Sequence, residues 1–169
     1  MTETKQLLVD GQAISEKPLH YRACGLDDVY LLNGFEWEDT EHGRAVTIHD
    51  LEGLHNAIGM CIIMQQRPIR AREFRFLRKA MELTQEQLAQ QLDVDAQTVA
   101  RYEKDQGTPP KPTDLMIRVA FLLHKMPDDV RSDLLAKLYP VATSPAGNVP
   151  ERFNFRQTKG VWDGERLAA

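Results

Sequence analysis

Apolar positions along the chain fall into two regimes, short β-prone runs first and helical periodicities afterwards. Val29-Tyr30-Leu31-Leu32 and Ala45-Val46-Thr47-Ile48 are the clearest of the short runs. Asn33-Gly34 and an acidic stretch from Glu36 to Gly43 separate them. This pattern predicts a two-stranded antiparallel hairpin with the acidic residues in a solvated turn. A hairpin alone is marginal and needs a surface to pack on. The next segment supplies one: Asp50 is placed as an N-cap, and Leu51, Leu54, Ile58, Cys61 and Ile62 recur at helical spacing through Gln65. Pro68 ends that pattern and marks a domain boundary. Residues 1–66 are therefore read as a small α+β module, an antiparallel hairpin plus one helix.

Five short helical patterns follow. Arg70 to Met81 sets Phe74, Leu77 and Met81 on one face, with arginines on the other. Thr84 to Leu92 and Asp95 to Lys104 form a close pair. After the loop Gly107-Thr108-Pro109-Pro110, Pro112-Thr113 opens a helix carrying Leu115, Val119, Leu122 and Leu123. Pro127 begins the last, with Val130, Leu134, Leu135 and Leu138, at a first turn where proline is tolerated. From Pro140 the chain is rich in Pro, Gly, Ser and Asn, and a flexible tail over 140–169 is expected. Phe153, Phe155 and Trp162 sit oddly in such a tail, since three aromatics could dock on a surface.

The close pair carries the chemistry. Two helices crossing through a tight turn need a small residue where they meet, and Ala89 is placed there. Leu88, Leu92, Val94, Val99 and Tyr102 have the spacing to grip a common core. Thr84 followed by Gln87 reads as a capping box, and Asp95 as the cap of the second helix. Asp93 occupies the turn, where a left-handed conformation is needed and Asp tolerates it better than most residues. With the apolar positions buried, the second helix presents Gln97, Thr98 and Arg101 outward. Gln can bond adenine bidentately, Arg guanine, and a Thr methyl can meet thymine. Gln85, opening the first helix, is placed to meet a backbone phosphate. Arg75, Arg78, Lys79 and Lys104 are candidate phosphate neutralisers, whereas Arg67, Arg70 and Arg72 read as a solvated face.

The residues from Phe74-Arg75-Phe76-Leu77-Arg78-Lys79 through Arg101-Tyr102-Glu103-Lys104 resemble the Cro/C1-type (XRE-like) helix-turn-helix family. That resemblance implies an all-α, lambda-repressor-like domain over 67–139, with the motif at 84–104. Arg72 to Lys79, together with Tyr21 to Gly34 and its Cys24-Gly25-Leu26, is similar to a bacterial group of two-domain regulators that includes the MqsA-like antitoxins. In that group a zinc-binding N-terminal domain precedes the DNA-binding one. Here there is no CxxC, and His20, Cys24, His42, His49, His55 and Cys61 are too loosely spaced for a structural zinc site. Cys61 reads as a small core residue, and neither metal nor cofactor is expected.

Charge sharpens the division. Whole-chain net charge is −4, but before Arg67 eleven acidic residues face four basic ones, and from Arg67 to Met126 eleven basic face eight acidic. The remainder carries six of each. Phosphates would meet the local positive field, and the acidic half suggests a second partner. No apolar run approaches the roughly 20 residues that span a bilayer. The start lacks the basic and apolar regions of a signal peptide, so a cytoplasmic protein with reduced cysteines is expected. Neither a Gly-rich phosphate loop nor a nucleophile–base spacing points to an enzyme. The reading is a sequence-specific regulator, binding double-stranded operator DNA as a homodimer and repressing its own operon. The alternative is a toxin-neutralising module whose acidic N-terminal half binds a basic toxin, with DNA binding secondary.

Overall fold

A computed structural model describes residues 7–9, 12–14, 17–143 and 152–167. The chain divides into two compact units, Met1–Ile58 with Pro150–Ala169, and Gly59–Val149. The first is α+β and the second all-α, as the hydrophobic pattern predicts.

In the first unit β1 (Leu7–Val9) pairs antiparallel with β2 (Gln12–Ile14). A four-stranded sheet contains β3 (Leu19–His20), β4 (Val29–Leu31), β7 (Arg152–Thr158) and β8 (Val161–Leu167), in the order β3-β4-β7-β8. A separate ribbon joins β5 (Phe35–Thr40) to β6 (Gly43–Ile48). Two expectations are thereby corrected. The partner of the 45–48 run is the acidic stretch itself, which is an extended strand, because Glu41-His42 makes the turn. Val29–Leu31 instead pairs with β3 and, in parallel, with β7.

A further correction concerns the tail. Residues 152–167 are two strands, and the rest of the expected tail at 144–151 and 168–169 lies outside the described residues. Phe153 and Phe155 point with Val29 and Leu31 into one core, where all four are buried. Asn33 mimics a backbone unit toward β7, its side chain donating to the Gln157 carbonyl (2.9 Å) and accepting the Gln157 amide (2.6 Å). Trp162 lies against Gly34, where a Cβ would come within 2.5 Å of the ring. Gly34 also has φ +74°, so both space and backbone demand glycine there. The Trp162 indole N–H reaches the carbonyls of His49 (3.1 Å) and Asp50 (3.0 Å), at the start of the next helix.

That helix, α1 (Leu51–Ile63), opens where the Asp50 carboxylate accepts the Gly53 amide (3.0 Å), as its N-cap position predicts. The boundary between the units falls inside it, at 58/59 rather than near Pro68. Then come α2 (Ala71–Ala80), α3 (Gln85–Leu92), α4 (Ala96–Glu103), α5 (Lys111–Lys125) and α6 (Asp128–Thr143). Pro140 lies within α6, so the helical pattern runs past the point where the tail was expected to begin. Gly59 lets α1 meet Phe121 of α5, for a Cβ there would sit 2.1 Å from the ring.

The segment between α1 and α2 is pinned by charge. Arg118 of α5 is fully buried and donates to the carbonyls of Ile63 (2.6 Å), Gln65 (2.8 Å) and Arg67 (2.6 Å), while Asp114 accepts its Nε (2.6 Å). Arg67, expected to be solvated, is buried as a bidentate partner of Glu73. Arg70 stays half-exposed but joins the same carboxylate (2.8 Å), and Arg72 is exposed. Periodicity cannot show this, because the acceptors, the last carbonyl of α1 and two beyond it, lie more than 50 residues before Arg118.

Two outcomes are expected in urea unfolding followed by far-UV circular dichroism. Arg118→Met, which strands three carbonyls and Asp114, lowers stability by about 3–5 kcal/mol. Trp162→Ala, which empties the socket over Gly34, costs about the same. A cost below 1 kcal/mol for either would show that its contacts do not hold that unit together.

Candidate nucleic-acid interface

The candidate interface is built on α2, α3 and α4. Phe74, Leu77, Leu88, Leu92 and Val99 are buried between them, and Tyr102 meets Phe74 edge-on with ring centroids 5.5 Å apart. Ala89 is buried at the crossing, where a larger side chain would push the helices apart. Thr84 accepts the Gln87 amide (3.1 Å) and Gln87 returns the bond to the Thr84 amide (2.8 Å), so the capping box closes from both sides. Asp93 ends α3 in the left-handed conformation (φ 53°, ψ 47°), and the Val94 amide returns to Ala89 (3.0 Å). Asp95 then caps α4, accepting the Thr98 amide at 2.7 Å.

α4 turns Val99 inward and leaves Gln97 and Arg101, one helical turn apart, exposed. Thr98 is half-buried and its hydroxyl donates to Asp95 (2.9 Å). With its proton given to Asp95, the Thr98 hydroxyl keeps only acceptor capacity, beside its methyl group. The bonds from the Thr98 amide and hydroxyl hold the Asp95 carboxyl below its ordinary range, and the Arg101 charge adds to this. Its lowered value favours the carboxylate, the form that caps α4.

One residue that spacing did not single out organises this surface. Glu103, at the end of α4, accepts Arg78 Nε (2.5 Å) and Nη2 (3.1 Å) from α2 and Gln85 Nε2 (2.9 Å) from α3. Arg78 also donates to the Leu83 carbonyl (2.8 Å). Both side chains expected at phosphates are thus engaged within the fold. Gln85 retains its position at the start of α3, while Arg78 is mostly buried. Arg75, Lys79 and Lys104 are exposed. The one signal for Glu103 in the sequence is an acid set between Arg101 and Lys104 on an otherwise basic helix end.

Burial alone would raise the Glu103 carboxyl, but the bonds from Arg78 and Gln85 outweigh it and hold the group below its ordinary value. Glu73 follows the same balance with Arg67 and Arg70. Three arginines and three acids are withdrawn together in the pairs Arg67–Glu73, Arg78–Glu103 and Arg118–Asp114. Surface charge over 67–126 therefore keeps the positive excess counted along the sequence.

Residues 74–117 match a family model described as helix-turn-helix. This segment is a helix-turn-helix. It supports a DNA-binding transcription regulator, and it runs from within α2 to within α5. No curated protein and no solved structure matches the chain. Among the described residues no group of three His, Cys, Asp or Glu is gathered that could hold a metal ion. Cys24 and Cys61 are not joined in a disulfide, and both are half-buried. No described helix is long and apolar enough to cross a membrane.

Because the folded Glu103 carboxyl lies below its unfolded value, the clamp stabilises fully above about pH 4.3. That contribution is lost as pH falls through the lower, folded value. Urea midpoints measured from pH 6 to pH 3 should fall more steeply for the parent than for Glu103→Gln, which carries no titrating group there. Parallel curves would remove the clamp from the stability of the motif.

Proposed function

We propose that this chain is a sequence-specific repressor that reads operator DNA with α4. The observation that carries the reading is the exposure of Gln97 and Arg101 on a helix whose opposite side is locked into the motif core. Gln97 takes an adenine edge, Arg101 a guanine edge, and the Thr98 methyl a thymine. Arg75, Lys79 and Lys104 neutralise phosphates, and the amide end of α3 at Gln85 meets another. The domain acts as a homodimer on a pseudo-palindrome, because two reading helices on half-sites one turn apart multiply specificity. Its operator lies before its own operon, in the cytoplasm, and it carries no catalysis, cofactor or metal.

A second reading keeps the DNA-binding domain and gives the first unit a protein partner, as in a type II antitoxin. The exposed carboxylates of Glu38, Asp39 and Glu41 on the ribbon favour it, since their field would attract a small basic protein such as a toxin. A basic polypeptide co-purifying with the full chain through these residues would support that role. Loss of co-purification on changing all three to Gln would place the contact.

Footprinting tests the first reading. Arg101→Ala should lose about 1–3 kcal/mol of specific binding and relax one base position. Lys79→Ala should weaken all sequences alike and reduce the salt slope by about one. An Arg101→Ala protein with the parent footprint would remove that residue from base recognition.

A further inference from the structure

We propose that β6 is a self-pairing edge, so that two copies of the chain join their ribbons into one four-stranded antiparallel sheet. The inference rests on the dimeric part of the preceding reading and supplies it with a surface. The ribbon is long for an isolated hairpin, six residues a strand, and solvent reaches both of its faces. Among the described residues no third strand pairs with it.

The phase of its ladder decides which groups are free. His49 donates its amide to the Gly34 carbonyl (2.9 Å), next to the Phe35–Ile48 pair. Hydrogen-bonded pairs alternate along an antiparallel ladder, so Glu36–Thr47, Glu38–Ala45 and Thr40–Gly43 exchange the inner bonds. The N–H and C=O groups of Arg44, Val46 and Ile48 consequently point outward, along the open edge of β6. Those of Phe35, Trp37 and Asp39 point outward along β5.

Charge separates the two edges. Pairing β5 with a second β5 about Trp37 would set Glu36 and Glu38 of different copies directly opposite each other, on both sides of the axis. Like charges facing across strands are destabilising. Pairing β6 with a second β6 about Val46 sets Ala45 opposite Thr47 and Arg44 opposite Ile48, with no like charges facing. β6 carries no proline, and Arg44 is its one charged residue, with its guanidinium 4.6 Å over the Trp37 ring. These are the devices that usually protect an edge, and β6 lacks most of them.

The side-chain register fits as well. Trp37 stands opposite Val46, and these two are 46% and 37% exposed. A two-fold axis at Val46 would bring them into one row, Trp37, Val46, then Val46 and Trp37 of the second copy. The contact is small, so it forms a concentration-dependent dimer that operator half-sites would complete.

Sedimentation velocity of the full chain over a range of micromolar concentrations tests this. The parent should show a monomer–dimer equilibrium. Val46→Lys sets like charges across the axis at a side chain already facing solvent, and should raise the dissociation constant by about tenfold or more. Leu123→Lys, on the exposed side of α5, should leave it unchanged. Val46→Cys should cross-link to itself on oxidation, with the 46–46 linkage identified by mass spectrometry. The inference is overturned by a parent monomeric at every concentration, by an unchanged constant in Val46→Lys, or by the absence of the 46–46 link. Leu123→Lys dissolving the dimer while Val46→Lys spares it would transfer the interface to α5. An Arg101→Ala effect on DNA in a monomeric chain would overturn the self-pairing edge and leave DNA reading intact.

Discussion

Glu103 is the point on which the arrangement of α2, α3 and α4 hangs. Its carboxylate takes Arg78 from α2 and Gln85 from α3 while standing at the end of α4, so one group fixes three helices. Base recognition requires side chains placed to a fraction of an ångström, and α4 is only eight residues long. A helix that short has little stability of its own. It is held by Val99 and Tyr102 beneath, by the Asp95 cap at its start and by Glu103 at its end. Bidentate geometry matters here because the guanidinium constrains direction as well as distance.

The same device recurs where α1 gives way to α2. Arg118 gathers the last carbonyl of α1 and two of the irregular segment after it, and the Arg67–Glu73 pair closes the next few residues. Buried irregular backbone needs donors that a helix or sheet would otherwise provide. A guanidinium with five donors in a rigid fork fits several such acceptors at once. These interior pairs also settle an electrostatic question. They remove equal numbers of each sign, so burial leaves the positive field of the helix-turn-helix domain and the negative field of the first unit intact.

The two units solve different problems. In the second, α4 keeps a polar, exposed face above a buried apolar core. In the first, a sheet completed by β7 and β8 gives the core of Val29, Leu31, Phe153 and Phe155, while the β5–β6 ribbon remains in solvent. Trp162 stands between these parts, roofing Gly34 and bonding the carbonyls before α1. The aromatics of the C-terminal segment are therefore structural, which accounts for their presence in a stretch otherwise rich in loop-forming residues.

Local patterns in the sequence determined the helices, the Thr84 box, the Asp95 and Asp50 caps and the left-handed Asp93, because each depends on neighbours within a few residues. They also determined which side of α4 faces out, since Val99 and Tyr102 must turn inward together. The tertiary structure alone decided the partner of Val29–Leu31, the role of residues 152–167 and the burial of Arg67, Arg78 and Arg118. Each of these joins positions far apart in the chain, such as Val29 with Phe153 or Arg78 with Glu103. An arginine reads identically in sequence whether it meets water or a carboxylate. Which one it meets depends on what the fold brings beside it.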